Sequence, residues 1–193
     1  MNPIFSVNYP ELVVAEYLRA HFPKSQGYGV LLPMSGQQKG FDLALLRRQR
    51  SGTKVATFQV KSSRTYPGKE GDGVNAKGVR TFIHYTWLNR FAVQPEADFF
   101  VLIALYAPDP RTTRGKTGLW KPHLLLYTNA EMSALIRSIK TKKTAAPDSK
   151  FGFGFNNASQ AFLTRGNPHE QTHPDHSHRL LARRHADIAA LLA

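Results

Sequence analysis

Apolar positions change period along this chain, and the changes mark its elements. From Pro10 to about Phe22, Glu11, Ala15, Leu18 and Phe22 recur at i, i+4, i+7 and i+11, the spacing of one helix face. Pro10 suits a first helical turn, and Pro23 with the glycines at 27 and 29 ends the helix. Tyr28 to Pro33 then reads as a strand and Met34 to Gly40 as a loop. Phe41 to Arg47 and Val55 to Ser62 are β-rich runs around Ser51-Gly52, which predicts a hairpin. Arg64 to Lys77 lacks periodicity and reads as an exposed loop. Thr81 to Trp87 is an aromatic strand, Ala97 to Ala107 a buried strand, Pro108 to Gly118 a basic loop and Trp120 to Thr128 a further strand. Asn129 is expected to cap a helix to about Lys140, on the stripe Met132, Leu135, Ile136 and Ile139. Phe151 to Phe155 alternates Phe and Gly. It resembles an RNA-binding strand, but without the rest of that signature it reads as an edge strand packed on the core. This order predicts an α/β domain, a mixed central sheet flanked by helices, over residues 1–165. A His/Pro-rich linker at 166–178 and a C-terminal helix at 179–193 follow, the helix leaving docking and homodimerisation both open.

The hairpin concentrates the chemistry. In the second strand Val55, Thr57, Gln59 and Lys61 share one face and Ala56, Phe58 and Val60 the other. A two-residue Ser51-Gly52 loop sets Asp42 opposite Lys61 and Ala44 opposite Gln59, so a carboxylate, an amide and an ammonium converge. An odd loop without a bulge would send Asp42 to the other face. A plain cross-strand Asp–Lys pair on a wet face accounts for the same residues. On the first helix Glu11 lies on the core-facing stripe, whereas Glu16, beside Arg19, belongs to the solvated side. A first-turn acid also suits the helix dipole without any chemistry.

Composition narrows the partners. With 193 residues one domain and a tail are expected, and the absence of cysteine excludes disulfides and thiolate zinc sites. No signal-like start or long apolar run is present, so a soluble, cytoplasmic protein that does not enter membranes is expected. Lys and Arg outnumber Asp and Glu 26 to 13, a formal charge of +13. Residues 39–80 alone hold ten cations against three acids. This suits a polyanion, with nucleic acid ahead of a merely cationic surface or an anionic membrane. Lys39, Arg64, Lys69, Lys77 and Arg80 are the candidate DNA contacts. His84, among aromatics, fits a packed residue better than an acid–base group. His169, His173, His176 and His178 with Asp175 have metal-like spacing but sit in the linker, which would have to be ordered by the ion itself.

An acid in a first helix, Asp at the start of a strand and Gln-x-Lys in the next resemble the PD-(D/E)xK nuclease superfamily. The pattern is more narrowly similar to small endonucleases and archaeal junction-resolvase-like members, some of which carry Gln-x-Lys. The matching residues are Glu11, Asp42, Gln59 and Lys61, and the likeness spans about residues 5 to 140. It implies a restriction-endonuclease-like core and metal-dependent hydrolysis of DNA phosphodiesters. Asp42, Gln59 and the Val60 carbonyl would hold Mg2+ or Mn2+, Glu11 would hold it through water, and Lys61 would orient water or steady the phosphate. Gln59 departs from the commoner Glu and weakens the charge of such a site. A nuclease-fold module that binds DNA or a protein without cutting is therefore the alternative. A small-molecule phosphatase ranks third because of the basic surface.

Overall fold

The computed structural model describes residues 9–33, 40–69, 73–105, 122–156, 160–168 and 173–193. Helix α1 (Tyr9–His21) buries Val14, Ala15 and Leu18. The chain then turns through a 3₁₀ segment into β1 (Tyr28–Leu31), β2 (Leu43–Gln49) and the long β3 (Gly52–Pro67). These three strands form an antiparallel meander, with Leu31 opposite Ala44 and Leu43 opposite Phe58. Two small strands, β4 (Gly73–Val74) and β5 (Arg80–Thr81), precede β6 (His84–Asn89), β7 (Phe99–Leu105) and β8 (His123–Thr128). β7 lies parallel to β3, Phe58 to Arg64 alongside Phe99 to Leu105, and β8 closes antiparallel on β7. Parallel neighbours need a long crossover. Here its described residues contain β4 to β6 and no helix.

β3 is long enough to serve two halves of one sheet. Its last residues, Thr65 to Pro67, pair with β6, which pairs in turn with β9 (Lys150–Phe155), itself paired to β10 (Ala161–Arg165). The architecture is thus mixed α/β, with a large, mainly antiparallel sheet and helices α1, α2 (Asn129–Ser138) and α3 (His185–Leu191) among the described residues.

Two apolar layers fix the faces. Leu43, Leu45, Phe58, Val60, Phe99 and Val101 pack under α1 and α3, whereas Phe100, Leu102, Phe151, Phe153 and Phe155 pack with α2. Each such buried side chain contributes about 1.5–3 kcal/mol, so slipping β3 by one residue, which would drive Gln59 and Lys61 under α1, is strongly disfavoured.

Several boundaries differ from expectation. Arg64 to Pro67 continue β3 instead of opening a loop, because β6 supplies a partner. The α2 cap is Thr128, not Asn129: the Thr128 hydroxyl accepts from the Glu131 N–H while the Glu131 carboxylate accepts from the Thr128 N–H. The three Phe of β9 are buried as expected, yet β9 is internal, because the unanticipated β10 covers it. The segment read as a linker packs down where it is described: Asp175 bridges Phe162, and the Tyr127 hydroxyl and His176 Nδ1 lie 2.8 Å apart. The C-terminal segment is two 3₁₀ turns (Ser177–Arg179 and Leu181–Arg183) followed by α3. It docks within the chain, with Ile188 and Leu192 in the first layer and the Leu192 carbonyl accepting from Gln49 Nε2 at 2.7 Å. The basic loop expected at 108–118 lies outside the described residues.

Candidate active site

The hairpin turns through Arg50 and Ser51, so Gln49 pairs with Gly52. The loop still has two residues and the parity survives, but the register moves by two from the expected one. Ala44 faces Thr57 rather than Gln59, and the paired ladder ends at Leu43 opposite Phe58, one residue short of Asp42, so Asp42 does not pair with Lys61.

Asp42 stands where β2 begins and is anchored on both sides of Gln59. Its N–H donates to the Phe58 carbonyl at 2.8 Å, and its Oδ2 accepts from the Val60 N–H at 2.6 Å. The carboxylate therefore takes the place that a backbone carbonyl would occupy had the ladder continued. The N–H and C=O of one strand residue point to the same flank. The Val60 carbonyl accordingly belongs to the flank of β3 that Asp42 occupies.

Gln59 and Lys61 follow Phe100 and Leu102 onto the second-layer face. Gln59 is only 8% exposed, and its Oε1 is buried with no hydrogen-bond partner among the described residues. Lys61 Nζ lies 5.5 Å from the centre of the Phe91 ring, a cation–π contact that holds the ammonium near the sheet. β3 and β6 pair only at Thr65 to Pro67 and diverge beyond, opening a cleft of about 260 Å³ lined by Lys61, Ser62, Ser63, Trp87, Arg90 and Phe91, among others.

Of the four residues carrying the expected pattern, Asp42, Gln59 and Lys61 are brought to one strand segment. Glu11 sits half-buried in the first turn of α1, in the layer that covers the other face, with Val14 and Leu18 beneath it. Glu16 is exposed and paired with Arg19 at 2.7 Å, as a solvated residue should be. His84 pairs with Pro67, six residues beyond Lys61 along β3. It lies beside His123, whose imidazole burial and the His84 charge push down to about 4.

Glu96 is a further acid at this end of the sheet. A methyl placed on Gly40, whose φ is +95°, would lie 2.7 Å from Glu96 Cβ and 2.9 Å from Oε2. The exposed Glu96 carboxylate therefore folds against the residue two before Asp42. Its neighbour Asp98 has a different task, since Oδ2 accepts from both the N–H and the hydroxyl of Thr57 and clamps β3 to the start of β7. A loop acid brought back by tertiary pairing leaves no local signal.

Among the described residues no group of three or more His, Cys, Asp and Glu is arranged to hold a metal ion. The described histidines of the C-terminal segment are included in that statement; His169 lies outside the described residues, as does Lys39. Arg64, Lys69, Lys77 and Arg80 are all exposed. Arg80 stacks on Phe162 at 4.6 Å and Arg64 on Tyr66 at 5.9 Å. No helix among the described residues is long and apolar enough to cross a membrane.

No family model, curated protein or solved structure matches the chain.

Proposed function

We propose that the chain is a metal-dependent endonuclease that hydrolyses DNA phosphodiester bonds, with Asp42, Gln59 and Lys61 as its centre. The observation that carries this reading is the buried Oε1 of Gln59, without a hydrogen-bond partner among the described residues, one residue before the Val60 N–H that holds the Asp42 carboxylate. A buried acceptor without a donor costs about 1–3 kcal/mol. A hard cation such as Mg2+ takes oxygen ligands, and an oxygen already stripped of water and hydrogen bonds fits that use.

Asp42, Gln59 Oε1 and the Val60 carbonyl would hold such an ion, whereas Glu11, in the layer over the other face, is left out of that set. When bound, the ion would polarise the phosphate and make a bound water more acidic. The chain's own groups do the remainder. The Val60 N–H fixes the Asp42 carboxylate through Oδ2 and leaves Oδ1 outside that bond. Lys61, steadied by Phe91, presents an ammonium that orients the attacking water or stabilises charge on the phosphate oxygens. Glu96, against Gly40 two residues before Asp42, is the nearby exposed acid that would add negative charge at this end of the sheet. The helix, antiparallel meander and parallel β7 are compatible with a restriction-endonuclease-like core, although β4 to β6 stand in the β3–β7 crossover. The exposed cations of residues 64–80 suit a phosphate backbone.

The rival reading, DNA binding without cutting, draws on the lack of a three-acid cluster among the described residues. Incubation of supercoiled plasmid with Mg2+, Mn2+ or EDTA separates the two. Nicking with either ion, none in EDTA, and a loss of about 100-fold or more in both Asp42→Asn and Lys61→Met is the expected outcome. A gel shift without nicking, or nicking that survives both substitutions, overturns the catalytic assignment.

A further inference from the structure

Beyond the cleft, Tyr66 faces Tyr85 across β3 and β6, and Tyr85 and Trp87 face Gly154 and Gly152 across β6 and β9. Alternation therefore gives one face of these strands Arg64, Tyr66, Tyr85 and Trp87 above two glycines, while Phe151, Phe153 and Phe155 are buried on the opposite side. The outer rings are not covered: Tyr66 is 40% and Trp87 38% exposed. They form a contiguous group, with Tyr66 and Trp87 ring centres 4.9 Å apart and Tyr85 and Trp87 6.3 Å apart at 14° between planes. Gly152 makes this possible, since a methyl there would meet Trp87 Cδ1 at 2.5 Å. The indole thus rests on bare backbone and is braced from beneath.

A group of exposed rings on a sheet, flanked by cations, has a recognisable partner chemistry. Arg64 lies over Tyr66, Arg90 shares the cleft with Trp87, and the chain carries +13 overall. An apolar protein surface would leave these guanidinium groups facing grease. Nucleobases offer flat π faces, and their phosphates pair with the cations.

We propose that this face is a stacking platform for unpaired nucleobases, so that the chain binds single-stranded nucleic acid or a single-stranded flap. The inference deepens the endonuclease reading by naming its substrate class. Only the delivery of the strand toward Lys61, through the cleft that Trp87 lines, rests on that reading.

The test is a fluorescence anisotropy titration in EDTA, using labelled (dT) and (rU) single strands and a blunt duplex, each about twelve units long. Either single strand should bind more tightly than the duplex, and the stronger of the two assigns the sugar. Trp87→Ala should weaken single-strand binding by about 5- to 100-fold and Tyr66→Ala by a smaller factor, with duplex binding changed less than about twofold. Trp87→Phe, which keeps a ring, should restore most of the loss and guards against a folding effect. Failure of both single strands to bind, or affinity within about twofold of the native chain in both alanine variants, overturns the platform. Because no metal is present, neither result bears on plasmid cleavage, which stands or falls separately.

Discussion

At Gln59 stability and function pull in opposite directions. Its Oε1 is buried without a partner among the described residues, and a buried acceptor left so costs about 1–3 kcal/mol that an apolar side chain would remove. Gln59→Leu should therefore leave the melting temperature in EDTA unchanged or raise it, while lowering Mg2+-dependent cutting at least tenfold. Gln59→Glu adds a full charge with little change of shape. It should destabilise the metal-free chain by roughly a few kcal/mol and recover that loss as Mg2+ is added, with cutting retained. Magnesium titrations of both melting temperature and nicking measure the two effects together. If Gln59→Leu melts lower in EDTA, and Gln59→Glu never recovers at any Mg2+ concentration, Gln59 is a packing residue and not a ligand.

At the scale of elements, alternate glycines in β9 do for the outer face what its phenylalanines do for the core. Phe151, Phe153 and Phe155 fill the second layer, and Gly152 and Gly154 leave room above them for Trp87 and Phe82, whose ring atoms would lie within 2.5 Å of an added methyl at each position. Gly152→Ala should consequently displace Trp87 and cost about 1–3 kcal/mol by overpacking, because the methyl would also meet the Thr86 carbonyl at 2.4 Å. Chemical denaturation checks the stability. Single-strand anisotropy should show a loss comparable to that of Trp87→Ala, and a stable Gly152→Ala variant with native binding would mean that the indole is not braced there.

The sequence could be read for the burial of the Phe side chains, because apolar alternation is local, but not for the platform, which depends on which strand lies beside β9. The hairpin divides in the same way. Alternation between Ala56, Phe58, Val60 and Thr57, Gln59, Lys61 specifies which face each residue takes, and that parity held. It does not distinguish registers two residues apart, and the turn through Arg50 and Ser51 chose the one that sets Ala44 opposite Thr57 rather than Gln59. β10 escaped notice because Ala161 to Arg165 is short and lacks alternation, and it becomes a strand only through pairing with β9.

Across the whole molecule, the C-terminal segment ties α1, α2 and both halves of the sheet together through titratable groups. The Tyr17 hydroxyl and His185 Nε2 are 2.9 Å apart, and Glu131 on α2 pairs with Arg179 and, at 2.7 Å, with Arg184. His176 is wedged between Tyr127 and Phe153, and burial, with the charges of His178 and Arg179, pushes its imidazole down to about 4, against a smaller opposing pull from Asp175. His123, stacked flat on Phe155 at 4.2 Å, is held down to about 4 by burial and by His84.

Both imidazoles titrate near 6.5 in the unfolded chain, so between about 6.5 and 4 the unfolded state binds more protons than the folded one. Their contribution is present in full above pH 6.5 and is lost as pH falls toward 4. Glu131 behaves differently. Burial alone would raise its carboxyl, but hydrogen bonds from Arg184, the Thr128 N–H and Arg179 outweigh it and hold it down to about 2. Its share is intact above about pH 4.5 and fades only below that, so acidification from pH 7 to 5 reads the histidines. The unfolding free energy from urea titrations should fall across that interval by up to about 1.4 kcal/mol per pH unit for each histidine. His176→Asn and His123→Phe should each flatten the slope by nearly one proton. A native chain equally stable at pH 7 and pH 5, or a slope unchanged in both variants, would show that these imidazoles take up protons in the folded protein and do not stabilise the fold by staying neutral.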